Sequence, residues 1–263
     1  MCMDIPLYQV DAFTSKVFSG NPAAVCILKH WIDDVLLQSI AAENNLSETA
    51  FLVPADDGFD LRWFTPTTEV TLCGHATLAA ASVVMARREW TGDEVPFRTR
   101  WSGRLAVTRR DGLFVMDFPA RSAGTFDAPP GLEEALGVTP RDVFASEEDM
   151  LVILDDERAV RSARPDMTVL ERLPFRGVII TARGDESDIV SRFFAPRVGV
   201  PEDPVTGSSH CVLAPYWARE LGKKELHALQ VSERGGELWC APSGDRVFIS
   251  GETALYSEGM IRL

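Results

Sequence analysis

The chain has 263 residues, 46% hydrophobic and 25% charged, with 26 Lys+Arg against 39 Asp+Glu for a formal net charge of −13. That is enough apolar material to bury one large core or two smaller ones, which excludes a disordered chain. A surface this acidic repels phosphate backbones and anionic membranes, and no Lys/Arg cluster is interleaved with aromatics, so neither nucleic acid nor a membrane is expected as a partner.

In chain order, residues 7–13 and 23–28 read as strands separated by the Ser19-Gly20-Asn21-Pro22 turn cluster. Asp33 opens a helix whose apolar positions Val35, Leu36, Ile40 and Ala41 recur at helical spacing until Asn44-Asn45 breaks it. Strands are predicted at 49–53 and 60–64. A helix begins at Gly74 or His75 and runs to Arg87, rich in Ala, Leu and Met and so expected to be mostly buried. Residues 105–109 and 113–118 flank Asp111-Gly112, whose tolerance of positive φ suits a two-residue hairpin.

Asp127-Ala128-Pro129-Pro130-Gly131 is the best linker candidate, since no regular element crosses two prolines and a glycine. The expected boundary lies between Pro119 and Gly131, giving domains 1–118 and 119–263, with the last strand free to pair back onto the first domain. The second half continues with a short helix at 132–136, strands at 151–154, 178–181 and 189–194, and a helix at 208–221. From Leu226 onward, short strands surround Gly235-Gly236 and Ser243-Gly244-Asp245.

No uncharged stretch reaches the ~20 apolar residues of a spanning helix, the longest being 70–86. The first six residues carry neither a basic leader nor an apolar segment, so a cytoplasmic protein is expected. The five cysteines (Cys2, Cys26, Cys73, Cys211, Cys240) are scattered and the four histidines lack metal-ligand spacing. Neither disulfides nor a bound metal is expected.

The two halves share an order of elements. Arg62-Trp63-Phe64-Thr65-Pro66 matches Arg192-Phe193-Phe194-Ala195-Pro196, and each segment is followed by a short loop, a glycine and a helix, with Cys73-Gly74-His75-Ala76 facing Thr206-Gly207-Ser208-Ser209. An internal duplication is the favoured reading. It would present two helix N-termini with unpaired N–H groups, suited to a small carboxylate; the plain alternative is two tight turns at Gly74 and Gly207 with Ser208 as a cap.

Glu48 stands where an apolar run begins, and desolvation there would raise its pKa toward the range useful for proton transfer; the alternative is an edge glutamate in water. His75 at the helix start can donate to a developing oxyanion, or be an exposed polar residue. Asp203 in Pro201-Glu202-Asp203-Pro204 can orient a substrate or simply form a turn. Cys73 is either an acid/base thiol or a small buried hydrophobe. A hydrolase with Ser208 or Ser209 activated by His210 is disfavoured because the G-x-S-x-G elbow is missing.

Asp11-Ala12-Phe13, Gly20-Asn21-Pro22-Ala23, Asn45-Leu46-Ser47-Glu48-Thr49, Phe64-Thr65-Pro66, Cys73-Gly74-His75-Ala76 and Glu202-Asp203-Pro204-Val205-Thr206-Gly207-Ser208 together strongly resemble the phenazine-biosynthesis (PhzF-like) isomerase family, of diaminopimelate-epimerase-like fold. The resemblance implies an α+β protein of two pseudo-symmetric domains, each a curved, mostly antiparallel sheet around a central helix, with the active site in the interdomain cleft. It implies a homodimeric, cofactor-free isomerase that shifts a proton within a small unsaturated carboxylic acid. Glu48, His75 and Asp203 match its catalytic positions, and Ser47, Cys73, Gly74, Ala76, Thr206, Gly207, Ser208 and Ser209 line the substrate. Related epimerases use two thiols, whereas Thr206 here stands in place of the second, which disfavours racemisation. A non-catalytic carboxylate-binding protein is the rival reading.

Overall fold

A computed structural model describes residues 3–263, so Cys2 lies outside the described residues. The chain divides into two compact units, Met1–Asp117 with Ser250–Leu263, and Phe118–Ile249. The Pro129-Pro130-Gly131 stretch lies inside the second unit rather than between the two.

In the first unit, β1 (Asp4–Ala12) pairs antiparallel with β2 (Asn21–Ile27), and α1 (Asp34–Asn44) crosses over to β3 (Glu48–Ala55), parallel to β2. The Asp33 carboxylate caps α1 by accepting from the Val35 N–H at 2.9 Å, and Asn45, at φ 49°, ends it in the left-handed conformation. A hairpin leads to β4 (Gly58–Phe64), whose outer edge is shared by the short β5 (Glu69–Val70) and by β6 (Glu94–Thr99), the latter parallel. Between these two lies α2 (Gly74–Ala86), followed after β6 by the antiparallel β7 (Arg104–Arg110) and β8 (Leu113–Pro119). Asp111 (φ 52°) and Gly112 (φ 87°) form the expected hairpin turn.

Side-chain alternation gives this sheet two apolar faces. Phe51 and Val53 join Leu37, Ile40 and Ala41 of α1 in one core. The other side takes α2, buried from His75 to Val84 and touching β1, β2, β3 and β7, so the sheet curls around it. At Gly58, φ is +135° and a Cβ would stand 2.2 Å from the Pro96 carbonyl oxygen. Gly58→Ala is therefore expected to destabilise the unit by about 2–3 kcal/mol, read as a lower urea midpoint at unchanged m-value.

The second unit repeats the connectivity. The short β9 (Gly124–Thr125) precedes α3 (Leu132–Leu136), β10 (Asp142–Ala145) and β11 (Asp149–Ile153). Helices α4 (Glu157–Ser162) and α5 (Met167–Leu170), which the sequence patterns did not indicate, lead to β12 (Gly177–Arg183), parallel to β11. Antiparallel β13 (Ile189–Ala195) then shares its outer edge between β14 (Val200–Asp203) and the parallel β15 (Leu226–Gln230), with α6 (Gly207–Leu221) between them. Strands β16 (Gly236–Ser243) and β17 (Arg246–Gly251) follow.

The repeat extends to side chains. Arg62 forms a bidentate pair with Glu69 on β5 (2.7 and 2.7 Å) and lies over Phe64, while Arg192 does the same with Glu202 on β14 (2.7 and 2.9 Å) and Phe194. Pro215 inside α6 removes the donor that would serve the Cys211 carbonyl, which accepts from the Arg121 N–H at 2.9 Å instead.

The last strand, β18 (Thr253–Arg262), returns to the first unit and pairs antiparallel with β1 over its whole length; it is a ten-residue strand in a stretch expected to hold mostly short ones. The described cysteines are all buried and free. No helix among the described residues is long and apolar enough to cross a membrane.

Candidate active site

In the first unit, the crossover from β2 sets Glu48 at the first position of β3, opposite Ala23. The loop from β5 leads into α2 with Cys73 as N-cap, in extended conformation and without a side-chain cap bond. His75, the second residue of α2, thereby reaches Glu48: Nε2 and Oε2 are 3.0 Å apart, with the His75 and Glu48 side chains 8% and 18% exposed. The contact is an ion pair off the line of a straight hydrogen bond, so Oε2 is buried without an aligned donor. His75 is thus buried rather than an exposed helix-start residue.

Burial pushes the Glu48 carboxyl up, but the close charge of His75, with a contribution from Cys73, more than reverses this and holds it below its ordinary 4.5. The expected upward shift is therefore corrected: β3 supplies the desolvation, and α2 supplies a stronger opposing charge. Burial disfavours the charge on His75, yet the negative groups facing it, the Glu48 carboxylate being the one charged beside a protonated Cys73, raise it well above 6.5. Burial and the Glu48 charge push the Cys73 thiol up, so it stays protonated. The resting site is a carboxylate–imidazolium pair beside a neutral thiol.

Glu48, Cys73 and His75 place three ligand-type atoms within 4.8 Å. Cys73 Sγ is 3.6 Å from His75 Nδ1 and 4.0 Å from Nε2, nearly equidistant, so it sits against the ring rather than in line with either nitrogen. Nε2 already faces Glu48, and sharing a metal would require the ring to turn. Around the trio, Thr77 Oγ1 donates to the Cys73 carbonyl at 2.5 Å, fixing the N-cap; Ala76 is fully buried, and Ser47 and Gly74 are half-buried.

In the second unit, Thr206 is the N-cap of α6 and its hydroxyl donates to Asp203 Oδ2 at 2.5 Å. Gln230, fully buried on β15, holds this turn: its Oε1 accepts from Thr206 N–H (2.9 Å) and its Nε2 donates to the Asp203 carbonyl (2.7 Å). Gly207 opens the helix and Ser208 Oγ accepts from Arg176 Nη2 at 3.1 Å. Ser209 instead donates to the Thr206 carbonyl at 2.8 Å, inside the helix.

His210 Nδ1 lies 2.8 Å from that same carbonyl and must carry a proton to donate to it, so it cannot also be a base for Ser209. Burial pulls the His210 pKa to about 4. The His210 nitrogen beside Ser209 is therefore not its base, and Ser209 gives its own proton to the Thr206 carbonyl. The structure brings Glu48, Cys73, Gly74 and His75 together in one unit and Asp203, Thr206, Gly207 and Ser208 in the other. Gln230 and Arg176 escape the sequence, because each is tied to the loop by contacts 24 to 32 positions away.

A model of the family described as phenazine biosynthesis-like protein matches residues 10–259. The chain belongs to that family. This phenazine biosynthesis-like protein is 54% identical over 99% of its length, and all of the relative's, to an uncharacterized isomerase of Pseudomonas aeruginosa. A PhzF-family crystal structure from Enterococcus faecalis superposes with a TM-score of 0.97 at 43% identity, covering 99% of this chain and 100% of that one. A predicted epimerase of Pseudomonas aeruginosa, 21% identical over 98% and 99% of the two chains, shares the fold at a TM-score of 0.74. The α+β, epimerase-like fold and the membership of an isomerase family are thereby established.

Proposed function

We propose that this protein isomerises a small unsaturated carboxylic acid by moving a proton within it, with Glu48 as the carrier. The observation that supports this is the Glu48–His75 pair at 3.0 Å, mostly withdrawn from water. The Glu48 carboxylate takes a proton from a carbon made acidic by conjugation, and the electron pair moves into the conjugated system. Protonated Glu48 then returns the proton to another carbon, the double bond shifts, and the carboxylate is regenerated. Protonated His75 stabilises the carboxylate at rest, and its charge favours the anionic intermediate.

A carboxyl held below its ordinary pKa is a weak base whose conjugate acid returns its proton readily, which selects substrates with strongly activated C–H bonds. No cofactor enters this scheme. Asp203, Thr206 and Ser208 are assigned to substrate orientation on the resemblance of their segment to the family's motif. A two-thiol epimerase is disfavoured because Thr206 stands at the second thiol's place, where its hydroxyl donates to Asp203.

The test is deuterium uptake from heavy water into a panel of unsaturated and amino carboxylic acids, followed by mass spectrometry. Label at carbon is the expected result; binding of these acids without label in any of them would support a carboxylate-binding protein instead. Cys73→Ala is expected to keep label uptake within about tenfold of the wild type, well short of the loss of a general base. A loss of about a thousandfold would make the thiol the carrier.

A further inference from the structure

We infer that Arg176 is a positioning residue that sets the Ser208 hydroxyl as a hydrogen-bond donor to an anionic substrate oxygen. This rests on the reading above that the substrate is a carboxylate met by Ser208. The duplication leads to it. Thr49 pairs with Phe64 across β3 and β4, and Val178 pairs with Phe194 across β12 and β13, the two phenylalanines holding the same place in the repeated motif. Glu48 therefore corresponds to Gly177, and Ser47 to Arg176.

In both units, then, a side chain from the entry to the corresponding strand, its first residue in one unit and the residue just before it in the other, touches the second residue of the following buried helix. In the first unit it is Glu48 on His75 at 3.0 Å; in the second it is Arg176 on Ser208 at 3.1 Å. The first pair can exchange a proton. The second cannot, since a guanidinium keeps its protons, and it can only donate.

Arg176 is itself held in place. Its Nε and Nη2 donate to Asp149 at 2.9 and 2.5 Å, and its guanidinium lies 5.3 Å from the Phe193 ring centroid. Asp149 is fully buried at the start of β11, opposite Gly177. The charge of Arg176 is thus matched, and what reaches the loop is one directed N–H. Ser208 Oγ accepts that bond and has no other hydrogen-bond partner among the described residues, so its own proton remains available on the side away from Arg176. Ser209, one position on, has already used its proton on the Thr206 carbonyl.

The probe is benzoate, an unsaturated carboxylate that cannot be isomerised, with benzamide as its uncharged counterpart, both titrated calorimetrically. Arg176→Gln and Ser208→Ala are each expected to raise the benzoate Kd about tenfold, leaving benzamide unchanged, and the double variant to be no weaker than either alone. Arg176→Lys should fail to restore affinity, because an ammonium cannot hold the Asp149 fork and Ser208 together. Should Arg176→Gln not fold, Arg176→Gln with Asp149→Asn removes the charge and its buried partner together, with the same expected tenfold loss. An unchanged Kd, additive losses, full rescue by lysine, or no benzoate binding by the wild type would each overturn the inference. Glu48→Gln separates the two readings: undiminished label uptake in that variant would defeat the Glu48 assignment while leaving Arg176 untouched.

Discussion

Glu48→Gln is expected to lose label uptake by about 10²–10⁴-fold, the contribution of a positioned general base, while keeping the fold. Glutamine preserves the shape at the start of β3, where the neighbouring Thr49 and Ala50 are buried, and its carbonyl can still face His75. The ability to take and return a proton is removed, together with the negative charge that faces His75. The comparison is made at equal substrate occupancy, so that a change in binding does not pass for a change in chemistry. A variant within about threefold of wild type would mean that the proton travels by another group, since loss of a true general base exceeds this by far.

The second large effect concerns stability. His75→Gln leaves the buried Glu48 carboxylate without its counter-charge, a change expected to cost about 2–4 kcal/mol near neutral pH. The pH dependence follows from the direction of each shift. The lowered Glu48 value contributes stability that is present above 4.5 and is lost as pH falls through the folded value. The raised His75 value contributes stability that is present below 6.5 and is lost as pH rises through its much higher folded value. Both contributions are full between 4.5 and 6.5. In the variant, burial outweighs the smaller contribution left from Cys73 and raises Glu48, so the variant should regain stability on acidification through a range where the wild type does not. Urea unfolding at several pH values reads this difference; a constant gap between the two proteins would show that His75 acts only by packing.

Much of the framework is local chemistry and was legible in the residues. Asp33 and Asn45 are a helix cap and a left-handed stop, and they bound α1. Asp111-Gly112 takes positive φ at both positions, as that dipeptide suggests. The Arg62 and Arg192 segments revealed a repeat that the strand pairings reproduce. Helices α4 and α5 were not legible, because elements of six and four residues are too short for a hydrophobic period; their signals are only the capping carboxylates of Asp156 and Asp166.

The site was legible as candidate residues and not as electrostatics. Desolvation of Glu48 could be argued from the apolar run after it, but the sign of its pKa shift depends on His75, brought in by a different element. Ser208 could be marked from its motif, whereas Arg176 is joined to it only by the folding of β12 against β11 and α6. Long-range partners carry no local pattern, and each reversal or omission traces to one of them.

The most direct test of Glu48 as a resting carboxylate held by protonated His75 is the pH titration of its side-chain carboxyl carbon by NMR, assigned by comparison with Glu48→Gln. The wild type should titrate below 4.5, and the same carbon should move above 4.5 in His75→Gln. A wild-type midpoint above 4.5 would mean that burial outweighs the imidazolium, that the group rests as an acid, and that the proposed first step cannot begin at Glu48.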